Sequence, residues 1–391
     1  MRTTVAIIGA GPAGLLLARM LHRAGIDCVV IEARSRDYIQ QRQRAGTLEQ
    51  GSVDALRAVG AADRVGREGS VHHGIELRWA HRSFRLDLHE HTGRTVTRYP
   101  QTHLVRDLIA LNLRDGVTIE FDTEAIGIED VNGPQPRVHV RRGDRYGHVD
   151  CDFVAGCDGY HGAARASLPA DQLTMYERLW PYSWLGVLAD VTPSSAELIY
   201  AHSPRGFALH SVHSATISRL YLQVPNGTDP VAWPHERIRD ELAYRLGTDN
   251  GWQQRRGPIT DTTVLPLCSV VIEPMRVGHV FLAGDAAHIV PATAGKGLNL
   301  AVSDVQTLAA AFAFWHATGS TELLDAYSAT CLTRVWQAQQ FCADMTRMLH
   351  HAPGQTPLDS RLQMAQLTRL ASSRPAAADF AASYTGTPAT P

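Results

Sequence analysis

The stretch VAIIGAGPAGLLLARMLHRAGIDCVVIEA, from Val5 to Ala33, constrains this chain more than any other. Val5–Ile8 is wholly apolar, as a parallel strand buried on both faces requires. Gly9, Gly11 and Gly14 then fall in the G-x-G-x-x-G register. Pro12–Ala24 carries Leu15, Leu16, Ala18 and Leu21 at helical spacing until Gly25 stops it. Cys28–Ile31 is a second apolar strand, ending at Glu32. In such a β-α-β unit the first glycine permits a tight turn and the second lets the backbone approach a pyrophosphate. The third lets the helix close on the strand, and the helix N-terminus turns its N–H groups and partial positive charge toward the phosphates. Glu32 stands where a carboxylate can accept from a ribose diol. A lone glycine pattern is weak, but strand, helix, strand and acid in this order point to a bound dinucleotide.

Two later segments narrow the choice. AGCDGYHGAAR runs an apolar strand into Asp158, and HVFLAGDAAHIVPATAGKGLNLA runs another into Gly284-Asp285 and then a helix. Asp285 could bond a ribityl chain while the following helix N-terminus faces phosphate. In the middle of the chain, Gly74–Leu88, Leu185–Leu222 and Thr263–Ile272 alternate in polarity as an antiparallel sheet does, and 290–350 returns to helix. From Ala371 onward the Ala/Ser/Thr/Pro-rich chain has the composition of a loose tail. The 391 residues suffice for two or three domains, and a net charge of −2 gives no argument for nucleic acid or an anionic membrane. Six cysteines without C-x-x-C or zinc spacing read as reduced, buried thiols with no metal site. The N-terminus reads straight into a strand, and the apolar run Leu308–Ala317 is well short of the ~20 residues that span a bilayer. A cytoplasmic enzyme without membrane or nucleic-acid partners is therefore expected.

These three segments in order resemble the FAD-containing aromatic hydroxylases. The resemblance narrows to the 4-hydroxybenzoate 3-monooxygenase family through RAGTLEQG, ELIYAHSPRGFAL, FLAGDAAHIVP, KGLNLA and ASYTG, and covers essentially the whole chain. It implies an α/β fold: a split Rossmann-like FAD-binding domain, an antiparallel-sheet substrate domain and C-terminal helices. The expected division gives residues 1–72, 98–179 and 270–340 to the FAD domain and 73–97 and 180–269 to the substrate sheet. Residues 341–391 form a helical interface segment, and a homodimer is expected by resemblance. The chemistry implied is hydroxylation of a para-substituted phenol next to its hydroxyl, with NADPH or NADH, O2 and a flavin C4a-hydroperoxide.

Residue roles follow from the same resemblance. Tyr200 matches the tyrosine that bonds the substrate phenol, Tyr384 its relay partner, and His72 the histidine that passes the proton to solvent. By itself Tyr200 would read as an ordinary strand aromatic and His72, beside His73, as a surface histidine. Gly9, Gly11, Gly14, Glu32, Arg44, Gln101, Asp158, Asp285 and Asn299 match FAD-binding positions, and Arg219 the arginine lying against the flavin. Tyr38, Arg42, Arg44 and His161 match nicotinamide-nucleotide positions. ARSRDY departs from the NADPH-preferring pattern at Ala33 and Arg34, which leaves NADPH against NADH open.

The hairpin HSVHSATISRLY carries the sharpest departure. In the family a serine, an arginine and a tyrosine on this face hold the substrate carboxylate. Here Ser211 and Tyr221 stand in place, but His213 occupies the arginine position. Ala292 replaces a proline beside the reacting carbon, and Thr47 an aliphatic residue. A charge-assisted bond is worth roughly 1.5–3 kcal/mol, so its loss weakens binding by about one to two decades. Two substrates fit: 4-hydroxybenzoate bound weakly, or a relative lacking a bare carboxylate or carrying an extra substituent. The changes at Ala292 and Thr47 tip the sequence reading toward the relative. The rival activities are decarboxylative hydroxylation, action on an aminobenzoate, and a flavin-binding module without turnover.

Overall fold

The computed structural model describes residues 1–42 and 46–386. Strand Arg2–Ile8 (β1), helix Pro12–Arg23 (α1) and strand Cys28–Ile31 (β2) open the chain as the apolar pattern predicts. The chain then forms Thr47–Glu49 (β3), Ser70–His72 (β4), Gly74–Trp79 (β5), Arg82–Asp87 (β6) and Val96–Arg98 (β7). Helix Gln101–Arg114 (α2) leads to Thr118–Glu120 (β8), and Arg145–Gly156 (β9) follows. Next come Thr174–Asp190 (β10), Leu198–His202 (β11), Ala208–Val212 (β12) and Ile217–Pro225 (β13). Helix His235–Leu246 (α3), Ile259–Glu273 (β14) and Val280–Leu282 (β15) lead to helices Gly297–Thr318 (α4), Glu322–Leu349 (α5) and Arg374–Thr385 (α6).

Five strands pair in parallel in the order β15-β9-β1-β2-β8. The apolar runs of β15, β9, β1 and β2 are buried, with Val5, Ala6 and Ile7 fully enclosed, while the edge strand β8 is partly exposed. The second sheet runs β14-β10-β13-β12-β11-β5-β6, with the short strand His288–Ile289 at its β14 edge. Side chains alternate across it with a period of two, so its two faces do different work. Leu185, Val187, Ile199, Leu220 and Leu222 point to one face, where Ile238, Leu242 and Leu246 of α3 cover them. Each such leucine contributes roughly 1.5–3 kcal/mol by leaving water. Trp184, Tyr200, Leu209 and Tyr221 point to the other face and join the core of the parallel-sheet layer. That shared face carries the buried tyrosines of the candidate site.

Some expected boundaries shift. Val96–Arg98 pairs with β3 and β4 in a separate three-stranded sheet and not with the substrate sheet. Helix α5 runs through residue 340 without a break, so no linker separates the last segment from what precedes it. The Ala-rich tail is helical in α6, because Ser373 caps it, Pro375 falls in its first turn and alanines follow. The apolar run Leu308–Ala317 lies within the 22-residue α4, the one helix among the described residues long and apolar enough to cross a membrane. It packs against α1 and α5, and Leu308, Ala311 and Phe312 are buried in the core.

Two histidines inside the second sheet's surroundings give the fold an acid limit. His210 is fully buried, and its Nε2 accepts the Ser194 N–H at 3.0 Å. His350 stacks between Tyr182 and Phe207, and its Nε2 accepts the Trp184 indole N–H at 2.7 Å. Burial pushes His210 down to about 4 and His350 down to about 3. Both are neutral in the fold above the ordinary histidine pKa of ~6.5. Stability is fully present there and is lost as pH falls from that value toward their folded pKa values, by on the order of 1 kcal/mol per histidine per pH unit. Thermal melts at pH 8.5, 7.5 and 5.5 should show Tm level across the first step and several degrees lower after the second. A flat Tm down to pH 5 would contradict this assignment.

Candidate active site

The nucleotide cradle is built where three parallel strands end side by side. Gly9 N–H bonds Ile31 O at 2.8 Å, Cys157 N–H bonds Ile8 O at 2.8 Å, and Ala283 N–H bonds Gly156 O at 3.0 Å. Gly9 has φ +103°, and a Cβ there would lie 2.5 Å from Cys157 O. A Cβ on Gly14 would lie 2.0 Å from Gly9 O, so the helix could not seat. Gly11 differs: its Cβ would meet nothing within 4 Å. The protein leaves open space on that side, beside an α1 N-terminus without a side-chain cap. Glu32 accepts the Ala10 N–H at 2.7 Å and the Arg34 N–H at 2.8 Å, which fixes its carboxylate at the strand end.

The other two loops complete the cradle. Asp158 accepts the Ala164 N–H at 2.8 Å, while its buried Oδ1 has no partner, and burial raises its pKa to about 6. Asp285 is exposed on a turn whose Gly284 N–H is held by Asp304 at 2.9 Å, and Asp304 also bonds His288 Nε2 at 2.7 Å. An open glycine face, a bare helix end, an orphaned carboxylate oxygen and a fixed ribose acid together fit FAD. Asn299 does not present a free amide to it. Its Oδ1 accepts from Glu49 N and Ser52 Oγ at 2.9 and 2.7 Å, and its Nδ2 donates to Thr47 O and Gly295 O at 2.9 and 3.1 Å. All four bonding positions are used, which makes Asn299 a brace between β3 and α4. Gln101 opens α2 and is half-buried. Tyr38, Arg42 and His161 are exposed, and Arg44 lies outside the described residues.

The aromatic pocket lies under the second sheet. Tyr200 on β11 and Tyr384 on α6 join through their hydroxyls at 2.7 Å, both buried. Burial raises Tyr200 to about 12, opposed by the Tyr384 hydrogen bond and the Arg98 charge; burial and the Tyr200 contact also raise Tyr384. Tyr384 is fixed by Phe380 and Phe341, and its carbonyl accepts Lys296 Nζ at 2.9 Å. Lys296 is paired with Glu49 at 2.6 Å. His72 is 1% exposed, so it is no surface histidine, and neither ring nitrogen has a partner among the described residues. Burial and the nearby Arg98 push it down to about 4. The structure thus joins Tyr200 to Tyr384 directly, but not His72 to either, and His72 does not itself reach solvent.

On the hairpin, Ser211 pairs with Arg219 and Leu209 with Tyr221 across β12 and β13, so these four share the pocket face. Ser211 is buried, and Arg219 lies 5.6 Å from the Tyr221 ring centroid. His213 follows the end of β12, and burial with the Arg219 and Arg98 charges pushes it down to about 4. It is neutral at working pH. Ala292 starts a short turn whose Thr293 bonds Thr346 at 2.8 Å, and Thr47 is hydrogen-bonded by Arg98. Sequence reasoning missed Arg98 and the Lys296–Glu49 pair. The available signal was a basic residue inside the apolar strand pattern VTRY.

A dinucleotide cradle and a buried tyrosine pair in one chain point to the class: a flavin-dependent aromatic hydroxylase. The chain belongs to the FAD-binding monooxygenase family, and the family model described as FAD binding domain matches residues 2–342. It is 43% identical over 389 residues to the p-hydroxybenzoate hydroxylase of Acinetobacter baylyi, covering 99% of this chain and 96% of that one. A 6-methylpretetramide 4-monooxygenase of Streptomyces rimosus is 28% identical over 83% of this chain and 58% of its own. Among solved structures, p-nitrophenol 4-monooxygenase from Pseudomonas putida superposes with a TM-score of 0.86 over 99% of this chain and 100% of that one. At 18% identity that likeness concerns the fold.

The glycines separate folding from cofactor binding. Gly11→Ala should leave the apoprotein Tm unchanged, since its Cβ enters open space. It should weaken FAD binding at least roughly tenfold by blocking the close approach of a pyrophosphate. Titration of apoprotein with FAD, followed by flavin fluorescence, checks this. Unchanged affinity would place the pyrophosphate elsewhere.

Proposed function

We propose that the protein hydroxylates a para-substituted phenol, 4-hydroxybenzoate or a close relative, ortho to its hydroxyl with NAD(P)H and O2. The observation that carries this is the buried Tyr200–Tyr384 hydrogen bond, in a chain whose strand ends also form a cradle that fits FAD. The likeness to a p-hydroxybenzoate hydroxylase over nearly the whole chain supports it. A module that only bound flavin would have no use for two coupled phenols in a desolvated pocket.

Bound FAD supplies the redox chemistry, taking electrons from the nicotinamide nucleotide and delivering one oxygen of O2 to the ring. The protein's own residues manage the phenol. An ortho ring carbon becomes more nucleophilic when the phenol O–H gives up its proton. Tyr200 hydrogen-bonds that hydroxyl, and Tyr384 takes up the other side of the Tyr200 hydroxyl, so a proton can shift along the pair. Arg98 lowers the cost of negative charge on both tyrosines. Neutral His72, held low by burial and Arg98, relays that proton onward through a bridging hydroxyl or water without keeping it. Tyr221, Trp184 and α6 exclude bulk solvent, which protects the oxygen-transfer step from water.

Arg219 would place positive charge beside bound flavin, and exposed Tyr38, Arg42 and His161 offer a surface on which the nicotinamide nucleotide can dock. The six cysteines are all unpaired and mostly buried, which suits the reducing cytoplasm. Leu358 and Leu362, one helical turn apart and largely exposed, provide apolar area for a homodimer.

FAD-loaded protein should oxidise NAD(P)H slowly alone and at least tenfold faster with 4-hydroxybenzoate, giving a product heavier by one oxygen. A product that has also lost CO2 would instead support decarboxylative hydroxylation. Flavin binding with no stimulation by any phenol or aminobenzoate would sink the enzymatic reading.

A further inference from the structure

Arg98 sits in the pocket with its charge unanswered. It is 9% exposed, and no carboxylate among the described residues pairs with it. One terminal nitrogen donates to Thr47 Oγ1, and the other reaches Val212 O at 3.4 Å. Its Nε is buried without a partner. Its electrostatic neighbours are the phenols of Tyr221, Tyr200 and Tyr384 and the guanidinium of Arg219, whose Nη1 is likewise buried and unpartnered. A guanidinium remains charged inside a protein. Withdrawing it from water is costly, and a hydroxyl with one long carbonyl contact returns only part of that cost. An anion within reach of the fork would return the rest.

The register explains why the charge arrives here. Arg98 is the last residue of β7, the middle strand of the small sheet, opposite Thr47 on β3 and Ser70 on β4. Two residues earlier on the same strand face, Val96 lies opposite His72. The fork therefore enters the pocket from the FAD-domain side and meets the hairpin backbone at Val212, next to Ser211 and His213. His213 itself supplies no charge, because the two arginines and burial keep it neutral.

We propose that Arg98 is the anion receptor of the substrate pocket, seating the free carboxylate of an aromatic acid in place of the arginine that the hairpin lacks at His213. This rests on the aromatic-hydroxylation reading and names the charged group of its substrate. It reverses the preference drawn from the hairpin alone: the carboxylate is kept, and its cation has moved from β12 to β7. Esters and amides of the same phenol are then poor ligands.

The test compares 4-hydroxybenzoate with 4-hydroxybenzamide, which has the same shape without the charge, by perturbation of the bound-flavin absorbance. The wild-type holoenzyme should prefer the acid by at least tenfold. Arg98→Met keeps the apolar stem and should weaken acid binding roughly 10- to 100-fold, while amide binding stays within about threefold. Arg98→Met combined with His213→Arg should recover the acid preference. The ligand-free Tm of Arg98→Met should be unchanged or higher, because an unpaired buried charge is gone; a purely structural arginine would lower it. Equal affinity of wild type for acid and amide, or equal loss of both in Arg98→Met, overturns the proposal. Product formation by the wild-type holoenzyme distinguishes the underlying reading. If Arg98→Met erases the acid preference but the wild type hydroxylates no bound acid, the receptor stands and hydroxylation falls. If 4-hydroxybenzoate is hydroxylated with its acid preference untouched by Arg98→Met, the receptor falls alone.

Discussion

The hydrogen bond between the Tyr200 and Tyr384 hydroxyls is the contact on which the pocket depends. It spans 2.7 Å in space and 184 residues in sequence, and it brings the C-terminal helix back onto the second sheet. Both phenols are enclosed, so burial makes each a weaker acid than in water. A pair of this kind holds a proton without releasing it until something nearby stabilises the anion. Arg98 is the group placed to do so, and Lys296, fastened to Glu49 and to the Tyr384 backbone, keeps the second phenol in position.

The second sheet makes this arrangement possible by dividing its labour by face. Leu220 and Leu222 anchor β13 to the helix behind it, while Arg219 and Tyr221, alternating with them, point to the opposite face. Slipping the register by one residue would bury Arg219 among leucines and expose the core, so the hydrophobic face fixes the chemical one. The parallel sheet contributes in a different way. Its strand ends bring three separate loops together, and each loop is held by backbone bonds before any ligand arrives.

What the sequence reveals depends on the range of the interaction. The first β-α-β unit is legible because strand period, glycine register and terminal acid all lie within 32 residues. The Tyr200, Tyr384 and His72 set is legible through the family likeness of the stretches around it. Asn299 illustrates the limit: its position matched the pattern, yet its amide is spent on residues about 250 positions away. Arg98 was invisible for the same reason. An arginine at the end of a three-residue strand has no local meaning until Val212, Thr47 and Tyr221 close around it. The tail misled in the opposite sense, since its loose composition conceals a capped helix held by distant aromatic packing.

The central claim is that this pocket stabilises a phenolate through its tyrosine pair. The most direct measurement is a spectroscopic pH titration of 4-hydroxybenzoate bound to the FAD-loaded protein, following the phenolate band. The account predicts that bound ligand ionises about one pH unit or more below free ligand, as one favourable charge interaction of roughly 1.4 kcal/mol requires. Ionisation at the same pH as free ligand, or above it, would contradict the account.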